Sequence, residues 1–126
     1  MYFLIYSSYA KTEFNDADLK TLLVVSREKN KRFGISGMLL FLKGKFIQLL
    51  EGEEQDVKLL YATINQDKRH TSVVLLKEGI TDNRLFTNWS MAFSSVTPAE
   101  LASEEGFEKV NSSSALQVFT KLSSNF

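Results

Sequence analysis

Three polar side chains stand in segments that are otherwise apolar, and their types suit hydrogen bonding to a ligand. Tyr6 ends an apolar run that begins at Tyr2, and Gln48 interrupts the apolar residues 46–50. Asn30 continues a helical spacing of apolar positions. A phenol offers a donor and an acceptor, and a carboxamide offers two donors and an acceptor. If two helices cover one face of a sheet, these three side chains could converge beneath them.

Gln48 is the least expected of the three, because strand alternation puts its polar amide on the apolar face formed by Phe46 and Leu50. An unpaired amide there would cost on the order of 2 kcal/mol or more. A lone buried glutamine usually forms a hydrogen bond to neighbouring backbone. The alternative is an amide that faces a bound ligand. Asn30 also has two interpretations, since it could cap the end of its helix or face the sheet.

Common enzyme signatures are absent from the sequence, which has no nucleophile elbow, Walker loop or dinucleotide-binding glycine motif. Gly34 and Gly37 alone are weak evidence for phosphate binding. Glu51, Glu53 and Glu54 are more typical of a helix start than of an acid/base pair. The residues therefore favour binding over catalysis.

Composition narrows the class of protein further. The 126 residues are 44% hydrophobic, which fits one globular domain, and 15 basic and 15 acidic residues give no net charge. With no net charge, the protein has no overall electrostatic attraction to nucleic acid or to an anionic membrane. The absence of cysteine and the single His70 exclude cysteine and histidine-rich metal sites. Without a leader or a membrane-length apolar run, we expect a soluble, cytoplasmic protein.

Hydrophobic periodicity predicts an α+β fold, a ferredoxin-like β-α-β-β-α-β-β sheet with two helices on one face and a short C-terminal helical appendage. Residues 1–96 would form the ligand-binding domain, and residues 97–126 an appendage within the same globular unit. The predicted elements are a strand over 2–8, a helix over 15–30, a hairpin of strands 38–42 and 46–50 turning at Gly44, a helix starting at the acids 51–54 and running to 64, strands over 73–76 and 88–93, and a helix over 116–122.

The first and third strands carry apolar residues at both odd and even positions, so both faces of the sheet must be covered. The two helices can cover only one of them. The segment after Pro98, or a second copy of the protein, must cover the other.

Five short motifs follow one another at compatible spacing: Leu4-Ile5-Tyr6-Ser7-Ser8; Asn30 with Gly34-Ile35-Ser36-Gly37; Phe46-Ile47-Gln48-Leu49-Leu50-Glu51-Gly52; Asp67-Lys68-Arg69-His70; and Trp89-Ser90-Met91. Together they make the sequence resemble the BLUF domain family, blue-light sensors that use FAD. The resemblance covers about residues 2–93.

The resemblance implies a flavin ring bound non-covalently between the two helices and the sheet. Tyr6 would be the redox-active tyrosine, Gln48 the switching glutamine and Asn30 the amide at the polar edge of the ring. Lys29 stands where many relatives have Asn or His, and a lysine there could reach a phosphate. FAD is the family's cofactor, although FMN or riboflavin could fit a site that grips mainly the ring.

The same resemblance implies roles for five further residues. Arg69 would lie near the flavin side chain, with His70 and Ile35 also at the cofactor. Trp89 and Met91 would lie on the strand that reports the signal.

The implied mechanism is a light-driven electron and proton transfer from Tyr6 that rearranges the hydrogen bonds of Gln48. The light state would be a hydrogen-bond isomer and not an adduct, which agrees with the absence of cysteine.

Three functions remain open from the sequence. The first is a flavin photoreceptor without turnover that signals to a protein effector in trans, with a homo-oligomer expected. The second is a ferredoxin-like protein-binding module without photochemistry. The third, a flavin enzyme, is disfavoured because nothing identifies a site for a second substrate.

Overall fold

The protein is a five-stranded sheet with helices on both faces, seen in a computed structural model that describes residues 1–11, 16–42, 44–67, 70–87, 92–94 and 110–123. The strand order is β4-β1-β3-β2-β5, antiparallel except for the parallel pair β2–β5. The elements are β1 (Tyr2–Ala10), α1 (Asp16–Arg32), β2 (Ser36–Leu42), β3 (Lys45–Gly52), α2 (Glu54–Gln66), β4 (His70–Ile80), β5 (Ala92–Ser94) and α3 (Ala115–Ser123).

Two glycines set the turns around the central hairpin. Gly34 has φ +66° directly after α1, and Gly44 has φ +82° between β2 and β3. Other residues rarely adopt this left-handed backbone, so each glycine ends one element and frees the chain to begin the next. Leu42 pairs with Lys45 across the turn, which confirms the predicted hairpin at Gly44.

Strand alternation separates two apolar cores, one on each face of the sheet. Tyr6 and Phe46 belong to the core beneath α1 and α2, whereas Ile5 and Ile47 belong to the core beneath α3. Phe119 of α3 is completely buried in that second core. The prediction that both faces of β1 and β3 are covered is therefore confirmed.

The edge strand β4 was predicted too short. It spans His70–Ile80, whereas the periodicity predicts only 73–76. Its pairing with β1 shifts register twice, and Ser72 has φ +53°, so apolar and polar residues do not alternate regularly along it. Of the predicted fifth strand, β5 includes 92–94, while residues 88–91 lie outside the described part of the chain, as does the predicted helix cap Asn15.

The prediction that Glu51 helps to start α2 is wrong. Glu51 lies inside β3 with 1% of its surface exposed, and its carboxylate accepts hydrogen bonds from the backbone N–H groups of Leu85 and Phe86 at 2.6 and 3.0 Å. The Ser36 hydroxyl donates to the same carboxylate at 3.3 Å. Glu54, by contrast, does lie in the first turn of α2. Glu51 thus fixes the loop after β4 to the end of the hairpin.

Arg84 completes this junction from the same loop. Its guanidinium donates to the carbonyl oxygen of Gly34 at 2.6 Å, to the hydroxyl of Ser36 at 2.8 Å and to the carbonyl oxygen of Glu51 at 3.1 Å. The end of α1, the start of β2 and the end of β3 are therefore held together by one side chain.

No helix within the described ranges is long and apolar enough to cross a membrane.

Candidate functional site

A pocket opens between α1 and α2, with the sheet as its floor. Its cavity volume is about 110 Å³, and the cavity is partly open to solvent. The floor comes from β1, β2 and β3, and the walls come from the two helices. The lining residues are Tyr6, Leu22, Val25, Ser26, Lys29, Asn30, Leu39, Phe46, Gln48, Leu60, Thr63, Ile64 and Asp67.

Tyr6 and Gln48 lie side by side on the floor, because they are register partners on the antiparallel strands β1 and β3. The phenol of Tyr6 donates a hydrogen bond to Oε1 of Gln48. Tyr6 is 2% exposed and Gln48 is 6% exposed, so the bond is screened little by water. The buried amide of Gln48 therefore has a side-chain partner.

The phenol of Tyr6 is held in its protonated form. Burial raises its pKa far above the usual value, since the phenolate would lose its hydration, and the charges of Tyr61 and Asp67 raise it further. The ring of Tyr61 lies 5.5 Å from that of Tyr6, centroid to centroid, with a 52° tilt between the planes. Tyr6 is thus a neutral phenol at ordinary pH, able to donate a proton.

Asn30 lies on the inner side of α1, 2% exposed, and lines the same pocket. Its backbone carbonyl oxygen accepts bonds from the N–H groups of Phe33 and Ile35 at 3.1 and 2.8 Å. The main chain of Asn30 therefore helps to end the helix, while its side chain lines the pocket. The two interpretations from the sequence apply to different atoms of one residue.

The remaining residues singled out from the sequence fall into three groups. Lys29 is exposed and lines the pocket beside Asn30. Ile35 is 2% exposed in the core under the helices and does not form part of the described pocket wall. The others lie outside the part of the chain whose side chains are described: Arg69, His70, Trp89 and Met91.

Several wall residues were not singled out from the sequence. Ser26 of α1 and Thr63 of α2 line the pocket, as does Asp67, which follows the end of α2. Ser26 already stood in the helical stripe of α1, and Asp67 stood in one of the motifs. Their spacing could have indicated pocket walls, but small polar residues on helices are common and carry little signal alone.

The arrangement suits a flat, largely apolar ligand with a polar edge. Leu22 and Ile64 supply apolar walls and Leu39 an apolar part of the floor. Gln48 and Asn30 supply amides that can meet both donors and acceptors. A flavin ring has this composition, with an aromatic body and an edge of alternating carbonyl and N–H groups. The residues present therefore fit the ring of a flavin.

A family model described as "BLUF: Sensors of blue-light using FAD" matches residues 1–92 of the chain. The photoactivated adenylate cyclase subunit alpha of Euglena gracilis is 36% identical over 67 residues, 53% of this chain and 7% of that protein. The blue light- and temperature-regulated antirepressor BluF of Escherichia coli (strain K12) is 36% identical over 73 residues, 58% of this chain and 18% of that protein.

Among solved structures, BlsA in its ground state superposes with a TM-score of 0.85 at 25% identity, covering 97% of this chain and 87% of that one. The chain thus spans less than a fifth of the two curated relatives but nearly the whole of this solved structure.

Proposed function

The chain belongs to the BLUF family of blue-light sensors that use FAD, and within that photoreceptor function we propose that Tyr6 and Gln48 are the photoactive pair. The observation that supports this assignment is the hydrogen bond from the Tyr6 phenol to Oε1 of Gln48 on the floor of the pocket. The bond joins a group that can lose an electron and a proton to an amide that can reverse its two ends.

The family's FAD would be held by its ring, with Asn30 and Gln48 at the polar edge and Lys29 at the pocket mouth. What FAD supplies when bound is absorption of blue light and, in the excited state, a strong one-electron oxidant. Every other part of the response comes from the side chains around it. FMN or riboflavin could occupy a site that contacts the ring alone.

In the dark arrangement Tyr6 donates to Oε1 of Gln48. With FAD bound, Tyr6 would be the donor of an electron and of its phenolic proton to the light-excited ring. Once that proton has left, the phenol oxygen is an acceptor and no longer a donor, so the amide of Gln48 is favoured with its nitrogen towards Tyr6. Return of the electron and the proton from the ring would restore the phenol of Tyr6, so the net change would be a rearranged hydrogen-bond network.

The chain is a sensor and not an enzyme, because its family is defined by sensing and the named cyclase extends far beyond the 7% of its length that matches. Relatives named as a cyclase and an antirepressor indicate that sensors of this family work with effectors. We propose a protein effector in trans, a homo-oligomeric assembly and a cytoplasmic location for this chain. The proposed route runs from Gln48 through Trp89, Met91 and the fifth strand.

The test is the light-induced spectral shift in two variants. Tyr6→Phe removes the phenolic proton at nearly constant volume, and Gln48→Leu removes the switchable amide. We expect both proteins to bind flavin and to remain yellow, but to lack the normal reversible red shift under blue light. Absorption spectra before and after illumination give the answer.

Two variants outside the pocket serve as controls. Tyr9 lies on the same strand with 36% of its surface exposed, and Gln55 is exposed on α2. Tyr9→Phe and Gln55→Leu should shift as the wild type does. A normal shift in Tyr6→Phe or Gln48→Leu would refute the role of that residue, and a colourless wild-type protein would favour a binding module without photochemistry.

A further inference from the structure

A second cavity lies on the face of the sheet opposite the flavin pocket, beneath α3. Its volume is about 220 Å³, and it is partly open to solvent. Phe3 of β1 and Leu49 of β3 are both buried and form its floor, and Leu85 and Leu116 pack against the same core and form apolar walls. We call this space the α3 cavity, and its lining also includes three polar residues: Glu51, Thr81 and Thr120.

The apolar part of the α3 cavity is large enough for a small aromatic ring. A cavity of about 150 Å³ lined by aliphatic and aromatic side chains is sufficient to bind benzene. Ile80, which also lines the α3 cavity, leaves 72% of its surface exposed. A ring that covers this surface removes apolar area from water, which favours binding.

The polar side chains that line the α3 cavity are all hydrogen-bond acceptors. The hydroxyl of Thr81 donates its proton to the carbonyl oxygen of Asn83 at 3.1 Å, and the hydroxyl of Thr120 donates to the carbonyl oxygen of Leu116 at 2.8 Å. A hydroxyl has only one proton, so each of these oxygens can only accept a further bond. Both carboxylate oxygens of Glu51 accept hydrogen bonds, as an ionised carboxylate does. A ligand in the α3 cavity must therefore supply the donors.

The carboxylate of Glu51 makes a cationic donor the best match. A buried carboxylate is usually paired with a cation, but within the described ranges no lysine or arginine forms an ion pair with Glu51. Arg84 donates to the main-chain carbonyl oxygen of Glu51 and not to its carboxylate. Oε2 of Glu51 accepts one hydrogen bond, from the N–H of Leu85 at 2.6 Å, and has a lone pair for a second donor.

We propose that the α3 cavity binds a small aromatic primary amine in its ammonium form, with the ring among the apolar side chains and the ammonium at Glu51. An ammonium supplies three donors together with the positive charge that the carboxylate lacks. An apolar cavity with a few polar groups that fix the orientation of the ligand is the usual design of a small-molecule site. The site is separate from the flavin pocket and does not depend on the photoactive pair.

Calorimetric titration of the flavin-loaded protein, in the dark and near neutral pH, tests the proposal. Three probes of similar size differ in charge: phenethylamine is a cation, phenethyl alcohol is neutral and phenylacetate is an anion. Bound flavin excludes the probes from the pocket between α1 and α2. We expect phenethylamine to bind with a Kd of about 1 mM or below, as a fragment of this size can. It should bind about tenfold more tightly than the alcohol, because hydrogen bonds between charged groups are stronger, and phenylacetate should not bind.

Two variants of α3 locate the binding site. Thr120 is exposed and lines the α3 cavity, so the indole of Thr120→Trp should fill the cavity and abolish binding of phenethylamine. Gln117 is exposed on the same helix and does not line the cavity, so Gln117→Trp should bind as the wild type does.

A third variant tests the charge. Glu51→Gln retains an acceptor of the same shape but removes the negative charge, so phenethylamine should lose its advantage over the alcohol. The probe series and Thr120→Trp decide the question even where Glu51→Gln does not fold. The proposal would be overturned by equal affinity of the wild type for amine and alcohol, by the absence of saturable amine binding, or by unchanged binding in Thr120→Trp.

Discussion

Tyr6 couples the chemistry of the site to the stability of the fold, because burial raises its pKa far above the usual value of about 10. A raised folded-state pKa contributes stability that is complete below the unfolded-state pKa and is lost as the pH rises towards the folded-state value. Ionisation of Tyr6 should therefore leave the free energy of unfolding unchanged near neutral pH and should lower it above about pH 10.

Tyr6→Phe should reduce that alkaline loss by up to about 1.4 kcal/mol per pH unit, which corresponds to one proton. Urea unfolding of the wild type and the variant between pH 9 and 11 measures the difference. Burial and the carboxylate of Glu78 raise the pKa of Tyr2 in the same direction, so Tyr2→Phe should remove a second, separate component. Equal pH dependence in the wild type and Tyr6→Phe would contradict the protonated, buried phenol.

Asn30 offers a prediction about flavin retention. Asn30→Ala leaves the backbone carbonyl bonds at the end of α1 in place but removes the amide from the pocket wall. We expect flavin binding to weaken by about 1 to 3 kcal/mol, the cost of leaving a buried polar group unmet. Fluorescence of released flavin on dilution measures the affinity, with Asn65→Ala as an exposed-amide control on α2. Unchanged affinity would support a purely structural role as a helix cap.

Residue positions were predictable wherever strand alternation determines them. The side-chain period of two puts Tyr6 on the face of Leu4 and Gln48 on the face of Phe46. The antiparallel register of β1 and β3 then brings Tyr6 and Gln48 together on the pocket floor. Glu51 was assigned wrongly because acids before a helical stripe usually begin the helix. Its real partners, Arg84 and the N–H groups of Leu85 and Phe86, lie more than thirty residues away, and no local pattern reveals them.

At the scale of elements, Gly37 shows why a glycine stands inside a strand. A Cβ built on Gly37 would lie 1.9 Å from the backbone carbonyl oxygen of Leu49 on the neighbouring strand β3. Contacts this short do not occur, so any larger residue must push β2 away from β3. In the sequence, Gly34 and Gly37 were weak evidence for phosphate binding. In the structure, Gly34 follows the end of α1 and Gly37 permits close packing of the hairpin.

Gly37→Ala should destabilise the protein by about 1–3 kcal/mol, the usual cost of overpacking. Leu49, whose carbonyl oxygen would meet the new side chain, is the neighbour of Gln48 in β3. The dark absorption maximum of bound flavin should therefore also change. Gly34→Asn is the matched control, because it adds a side chain at a glycine where the surrounding space is open. Asparagine is chosen because it tolerates the left-handed backbone better than other residues do. Chemical denaturation gives the stabilities, and wild-type stability in Gly37→Ala would contradict the close contact.

At the scale of the whole molecule, pairings between distant strands decide what a light signal can reach. The parallel pair β2–β5 puts Ala92 beside Met38, an arrangement that periodicity cannot predict because it depends on a long connection. The need to cover the second sheet face was predictable from strands with two apolar faces. Which segment covers it became clear only from the complete burial of Phe119 in α3.

The second core lies one residue away from Gln48 of the proposed photoactive pair. Gln48 faces the flavin pocket, whereas its neighbours Ile47 and Leu49 are completely buried in the core that also contains Phe119. A rearrangement that shifts β3 at Gln48 must therefore also disturb the packing beneath α3. Light can bias a partner only through contacts that differ between the two states, and we propose that the surface of α3 provides them.

We expect illumination to change hydrogen exchange in α3, Ala115–Ser123, or the association state of the protein. Dark and illuminated samples are compared by hydrogen exchange and by sedimentation, with and without a candidate effector. Gln48→Leu under the same light is the control, since it retains the apolar floor but lacks the switchable amide, and it should behave as the dark wild type. Identical exchange and association in both states of the wild type, despite a complete spectral shift, would eliminate α3 as the output surface.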